Sequence, residues 1–394
     1  LAGAARFEAL FTPSPTQALG DFACTRHRVV VTILDDVRSS LLVGTPPADD
    51  AGSWRVERAD GPDVWTATCW PVDATERDDV FVTGSDFLTP ERLDVVSLAT
   101  GDGRDGGAER APSPLRQAPA RFDVDGLRIE QRFATSLDGT RVPFFLIGSD
   151  EALATTDGSV PTWLTAYGGF EVPRLAAYSA AVGRSWLADG GVYVLANIRG
   201  GGEYGPDWHR AGLRERRPRV YEDLEAVARE LHASGITSRP RLGVSGGSNG
   251  GLLVGNMYVR LPELFGAVVC QVPLLDMQRY HLLLAGASWM AEYGDPDDPD
   301  DWAFLRTYSP YHLVEELADD VDTPPILITT STRDDRVHPG HARKMAAKLE
   351  AAGRDVTYWE NVEGGHGGAA DAAQQATMQA LIVTFLRNRL GLSG

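Results

Sequence analysis

No stretch of this chain restricts its fold more than Gly243-Val-Ser-Gly-Gly-Ser-Asn-Gly-Gly251, in which two G-x-S-x-G patterns overlap. One is centred on Ser245 and the other on Ser248. A nucleophile elbow needs a strand running into the serine, a helix leaving directly after it, and small residues two places to either side so that the strained turn closes. Ser248 has all three: the β-type run Arg241 to Ser245, the flanking Gly246 and Gly250, and an apolar helical stretch from Leu252. Ser245 would have a shorter strand, and a glycine run where its helix should start. Ser248 is therefore the expected nucleophile. The plainer alternative is a glycine-rich turn with an incidental serine, and residues nearer the C-terminus weigh against it.

Pro324-Pro-Ile-Leu-Ile-Thr-Thr-Ser-Thr-Arg-Asp-Asp-Arg-Val337 reads as a buried strand ending in a loop with two acids, Asp334 and Asp335. Glu363-Gly-Gly-His-Gly-Gly368 lies after another strand and before the last helix. A histidine between glycines is not placed for packing, and it is free to reach a neighbouring serine. Serine, acid and histidine in this order are the order of an α/β-hydrolase. His366 would take the Ser248 proton, and one of the two aspartates would hold the imidazole tautomer and stabilise its charge.

The surrounding rhythm agrees. Strand-like runs fall at Leu127 to Ser136, Val142 to Ile147, Thr162 to Ala166, Val192 to Ile198, Arg241 to Ser245, Ala267 to Val272, Ile326 to Thr330 and Asp355 to Trp359. Helical stretches lie between them, including Tyr221 to Ala233, Leu252 to Val259, His341 to Ala352 and Ala370 to Arg389. Strands separated by helices imply a largely parallel sheet covered on both faces. The first hundred or so residues differ: short β-type runs (Arg28 to Leu34, Ser40 to Val43, Val64 to Cys69, Val80 to Thr83, Leu93 to Leu98) with corners at Asp60-Gly61 and Gly101-Asp102. That pattern suits a sandwich or propeller blades. Gly101 to Ala120 has linker composition. The expected domains are 1–120 and 121–394.

Charge and cysteine usage narrow the function. A formal net charge of −18 argues against nucleic-acid or anionic-membrane partners, which carry like charge. Three widely spaced cysteines, Cys24, Cys69 and Cys270, suggest neither a disulfide framework nor a zinc site. No apolar run is long enough to span a membrane, and no cofactor or metal is expected. The sequence begins at Leu1 with neither methionine nor a signal region. The expectation is of a chain that starts inside a longer product. Its compartment is open, cytoplasmic by default, because any targeting signal would lie upstream.

Six blocks in order, Tyr167-Gly-Gly-Phe170, Asn197-Ile-Arg-Gly-Gly-Gly-Glu-Tyr-Gly205, Gly246-Gly-Ser-Asn-Gly-Gly251, Tyr308-Ser-Pro-Tyr311, Asp334-Asp-Arg-Val337 and Gly365-His-Gly367, resemble the prolyl oligopeptidase family of serine peptidases. The likeness runs from about Phe11 to the C-terminus. It implies Asp334, rather than Asp335, as the acid of the triad. It implies an oxyanion hole of the Asn249 backbone N–H and the Tyr167 hydroxyl. It further implies that Arg336 holds a substrate carbonyl and that Phe170, Trp289, Tyr293 and Val337 wall an apolar pocket. An indole face against a pyrrolidine ring is a physical reason for proline preference. Arg336 beside two aspartates also reads as a local ion pair.

The same resemblance makes the β-rich part the last two or three blades of a propeller that, in the family, excludes large folded substrates. Blades of roughly 40–45 residues cannot close a ring from so short a stretch. Open strand edges invite self-association. Arg214-Glu-Arg-Arg-Pro-Arg219 is more basic than the family suggests and reads as a solvated loop.

Other readings are weaker. Gly200-Gly-Gly-Glu-Tyr-Gly205 fits G-x-G-x-x-G after a strand, but neither an apolar helix nor a ribose-binding acid comes next. The acidic run Asp295 to Asp301 lacks calcium-loop spacing and reads as a solvated loop or the start of a helix. Glu292 is the one acid near the pocket that could select basic residues. An esterase would share the triad; a non-catalytic binding module would not need it intact.

Overall fold

Along Asp79–Ser85 every second residue, Val80, Val82 and Gly84, is buried, the period of a strand with one face on a core. The computed structural model describes residues 7–49, 52–59, 64–98 and 113–392. The chain divides into two units: Leu1–Arg121 with Leu175–Ala180 and Glu203–Gly205, and Phe122–Arg174 with Ala181–Gly202 and Pro206–Gly394.

The first unit is all β. Strands β1 (Gln17–Cys24), β2 (Val29–Asp35), β3 (Arg38–Thr45) and β4 (Arg55–Arg58) form one antiparallel sheet in that order. Strands β5 (Thr66–Pro71), β6 (Asp79–Ser85), β7 (Arg92–Ser97) and β8 (Ser113–Gln117) form a second. Val30 and Leu41 of the first meet Ala67, Cys69, Val80, Val82 and Val96 of the second in one apolar core. Two four-stranded meanders are the blade form. Among the described residues no strand pairs across from one sheet to the other.

Three strands in this unit differ from the sequence expectation. β1 and β4 carry too little apolar alternation to be read, and β4 is exposed throughout. β8 lies inside the stretch of linker composition. An edge strand is held by backbone hydrogen bonds, so its side chains need no pattern, and Pro114 is tolerated there. The expected corners Asp60-Gly61 and Gly101-Asp102 lie outside the described residues.

The second unit carries an eight-stranded sheet in the order β16-β15-β14-β13-β11-β12-β10-β9. Its strands are β9 (Leu127–Thr135), β10 (Arg141–Ser149), β11 (Thr162–Thr165), β12 (Val192–Ala196), β13 (Leu242–Gly247), β14 (Ala267–Gln271), β15 (Ile326–Ser331) and β16 (Val356–Asn361). β11 to β16 are parallel, while β9 and β10 run antiparallel at one edge. The four longest helices among the described residues are α1 (Pro218–Ala233), α2 (Asn249–Arg260), α3 (Gly340–Ala351) and α4 (Ala372–Leu390).

Neighbouring residues of a strand point to opposite faces, and β13 shows what covers each. A Cβ on Gly243 would meet Leu386 and Leu390 of α4 at 2.9 and 2.7 Å. Leu242 and Val244 point the other way, into the core that holds α2 and the apolar side of α1. α2 is buried on every side from Asn249 to Val259, as expected of a helix between a sheet and other helices. This is the α/β-hydrolase arrangement, in which the loops at the C-terminal ends of parallel strands are left to carry chemistry. No helix among the described residues is long and apolar enough to cross a membrane.

Candidate active site

Ser248 sits between the end of β13 and the start of α2 with φ 58° and ψ −118°. A non-glycine residue rarely takes this backbone conformation, which costs about 1–3 kcal/mol and persists only where its surroundings enforce it. Here the Ser248 N–H donates to the Gln271 carbonyl at 2.9 Å, and the Ser248 carbonyl accepts from Gly251 and Leu252. Small neighbours make the turn possible: a Cβ on Gly246 would lie 2.2 Å from the Gly250 carbonyl oxygen. Ser248 is half-buried at the end of the strand, whereas Ser245 is 3% exposed inside it. The Ser245 hydroxyl already accepts the Trp163 indole N–H at 2.7 Å.

Asp334 comes after β15 and His366 lies in the loop after β16, so both follow the C-terminal ends of parallel strands, as Ser248 follows that of β13. The His366 Nδ1 lies 2.8 and 3.0 Å from the two Asp334 carboxylate oxygens. The Asp334 side chain is fully buried, and its Oδ1 also accepts the backbone N–H groups of Arg336 and Val337 at 2.9 Å. Asp335 is exposed. A carboxylate fixed by its own loop and turned to Nδ1 keeps the proton on that nitrogen and leaves Nε2 as the basic position.

Tyr167 lies in the loop after β11 and shares a hydrogen bond with Ser248. Burial raises its phenol pKa, against the opposing pull of Ser248 and Arg217, so the group stays protonated and able to donate at neutral pH. The next residues turn sharply, with Phe170 and Glu171 at φ 58° and 55°. Asn249, fully buried, ties this loop to the elbow: its Nδ2 donates to the Tyr167 carbonyl at 2.6 Å. Its Oδ1 accepts from the Tyr293 hydroxyl at 2.8 Å and from Arg217.

The residues expected to wall a pocket divide into two groups. Phe170 and Trp289 are partly exposed, while Tyr293 and Val337 are 0% and 2% exposed. Tyr293 backs Phe170 edge-on, with ring centroids 5.7 Å apart at 85°. It is therefore a support for the wall rather than an open face of it. Arg336 is exposed and forms no ion pair with either aspartate among the described residues, which leaves its guanidinium available. Glu292 is 5% exposed and both its oxygens are occupied. Oε1 accepts from the Phe170 N–H at 2.9 Å and from Arg217 at 3.0 Å, and Oε2 lies 2.8 Å from His209 Nε2. It offers no free charge to a basic substrate side chain.

The basic segment is not a solvated loop. Arg214 donates to both Asp301 oxygens at 2.6 and 2.7 Å, and Arg217 is fully buried among Glu292, Asn249 and the Tyr293 ring. Sequence reasoning missed Arg217 because a run of arginines ordinarily marks a wet surface. The signal available was Pro218 beside it, since proline favours the first helical position and so places Arg217 at the cap of α1. Asp301 also accepts the Asp295 N–H, and Asp298 caps the short helix Pro299–Leu305, so the acidic run is a helix start. Asp295 and Asp297 come within 4.8 Å of His281, which is explained by the 3.1 Å contact between His281 and Asp297.

The Asn197-Ile-Arg-Gly-Gly-Gly block is also structural. Arg199, 3% exposed, donates from Nε and Nη2 to Asp223 on α1 and from Nη1 to Asp138 in the turn between β9 and β10. Gly200 packs against the Tyr167 loop so closely that a Cβ would lie 2.5 Å from the Gly168 oxygen. The glycines serve that approach and leave no dinucleotide cradle.

Residues 178–393 match the prolyl oligopeptidase family. An uncharacterized peptidase of Sinorhizobium fredii is 45% identical over 99% of this chain and 52% of its own length. A prolyl endopeptidase of Elizabethkingia miricola is 33% identical over 84% of this chain and 45% of its own. The solved structure of a post-proline cleaving enzyme from Rickettsia typhi superposes with a TM-score of 0.85 at 34% identity, over 97% of this chain and 53% of that one. The chain spans about half the length of the curated relatives it matches.

Proposed function

The chain belongs to the prolyl oligopeptidase family, and we propose that it is a serine peptidase that hydrolyses short peptides on the carboxyl side of proline. The observation that carries this reading is the strained, half-buried Ser248 at the same C-terminal end of the parallel strands as a His366 held through Nδ1 by a buried Asp334.

In this mechanism Ser248 Oγ attacks the scissile carbonyl carbon while its proton passes to His366 Nε2. The carbonyl π pair moves to oxygen, and the Asn249 N–H and the Tyr167 hydroxyl receive that charge. Donors aimed at a developing oxyanion are worth about 10²–10³ in rate each. Collapse breaks the C–N bond, His366 returns the proton to the leaving amine, and an acyl ester on Ser248 remains. Water, deprotonated by the same imidazole, hydrolyses it. Asp334 holds the imidazolium through its contact with Nδ1.

Proline preference is supported by the apolar walls Phe170 and Trp289, with Tyr293 and Val337 behind them, and by a Glu292 whose charge is already matched. The relatives named for cleavage at proline add to it. The test compares anilide substrates ending in proline, alanine and lysine with a simple acyl ester. Fastest turnover after proline is expected. Faster cleavage after lysine, or turnover of the ester alone, would reject this reading.

A further inference from the structure

The two expected oxyanion donors lie on different segments, Tyr167 on the loop after β11 and Asn249 at the head of α2. Nothing in the covalent chain fixes one against the other, since about eighty residues separate them. One buried side chain reaches Asn249 directly and the Tyr167 loop through Glu292. Arg217 is 0% exposed, and its Nη2 donates to Asn249 Oδ1 while its Nη1 donates to Glu292 Oε1 at 3.0 Å. The same Glu292 oxygen accepts the Phe170 N–H, three residues past Tyr167. Asn249 returns the link by donating to the Tyr167 carbonyl. The guanidinium fork closes a ring: Arg217, Asn249, Tyr167, Phe170, Glu292 and back to Arg217.

We propose that Arg217 is a positioning residue for the oxyanion site, holding the Asn249 N–H and the Tyr167 hydroxyl on one point through Asn249 Oδ1 on one arm and Glu292 on the other. This role rests on the peptidase reading. A planar fork suits the task because its two donors are rigidly spaced, which a lysine ammonium cannot imitate. The positive charge also pulls the Tyr167 phenol pKa downward against burial. Glu292 balances that charge, so the core under the pocket is not left with an unpaired ion. His209 Nε2, 18% exposed, lies 2.8 Å from the second Glu292 oxygen and fixes the carboxylate from the solvent side.

Two variants test this on the whole protein. Arg217→Lys keeps the charge and loses the fork. Arg217→Met with Glu292→Gln removes both charges together, so no buried ion is stranded. Turnover is measured per active site, titrated with a fluorophosphonate, so unfolded molecules do not count. Both variants should lose about 10- to 100-fold in kcat with KM within about twofold, because the donors act on the transition state and not on ground-state binding. Labelling should slow in step, since the phosphonyl oxygen uses the same donors. A lower melting temperature with kcat per labelled site within about threefold of wild type, in both variants, would leave Arg217 a purely structural residue and overturn the proposal. A wild type that takes no label overturns the peptidase reading, and the Arg217 role with it; a wild type that labels normally beside unchanged variants overturns only the Arg217 role.

Discussion

Trp163 donates its indole N–H to the hydroxyl of Ser245 at 2.7 Å, and that contact separates two serines that the sequence presents side by side. Ser245 is a buried acceptor in the middle of the sheet, committed to packing. Ser245→Ala leaves a buried indole N–H without a partner, which costs about 1–3 kcal/mol. Chemical denaturation should register that loss while kcat per active site stays near wild type. Loss of turnover in a stably folded Ser245→Ala protein would contradict the assignment.

Trp289 and Phe170 are the two partly exposed aromatics of the expected pocket, with Tyr293 packed behind Phe170. Trp289→Ala should lower kcat/KM for a proline substrate by about 1–3 kcal/mol, the range for one pocket contact. The loss for an alanine substrate should be smaller, because less ring surface is given up. Steady-state kinetics on the two substrates decides; equal losses would place Trp289 outside the pocket.

His341 on α3 is 1% exposed, and its Nδ1 accepts the backbone N–H groups of Leu275 and Asp276 at 3.2 and 3.1 Å. That role requires the neutral ring. Burial, opposed by Asp276 and aided by Lys344 and His338, lowers its pKa from 6.5 to about 4. The unfolded chain therefore takes up this proton first as pH falls. The stability His341 provides is complete above pH 6.5 and is lost between there and about pH 4, amounting to roughly 3 kcal/mol. Urea unfolding across that window should show the slope in wild type and a shallower one in His341→Gln. Identical slopes would remove His341 as the cause.

Among the described residues strand β1 pairs with β2 alone, and it exposes Leu19 and Phe22 at 57% and 63%. Unpaired edges with apolar side chains template association between chains. Sedimentation should show concentration-dependent self-association of this chain, reduced by Leu19→Lys with Phe22→Lys. A sharp monomer at all concentrations would refute it.

How each feature is encoded decides whether it can be read from sequence. The inner strands of the large sheet were readable because burial on both faces forces largely apolar runs, as in Arg141–Ser149. The strand–turn–helix around Ser248 was readable because the turn admits only small neighbours, and the loops that carry Asp334 and His366 because they follow strands. β1, β4 and β8 were not, because edge pairing leaves side chains unconstrained. The Arg217–Glu292 pair escaped for a different reason. Its partners lie 75 positions apart, and each is ordinary until the fold buries them together. Tyr293 reads from the sequence as a pocket wall, whereas the fold buries it completely, edge-on against Phe170.

Every chemical step proposed for this chain passes through Ser248. Incubation of the protein with a fluorophosphonate, followed by proteolysis and mass spectrometry, reads the nucleophile directly. One adduct is predicted, on the peptide carrying Ser248, abolished by Ser248→Ala, retained in Ser245→Ala and strongly slowed in His366→Ala. An adduct that survives Ser248→Ala and vanishes in Ser245→Ala, or no adduct on the folded protein, would contradict it.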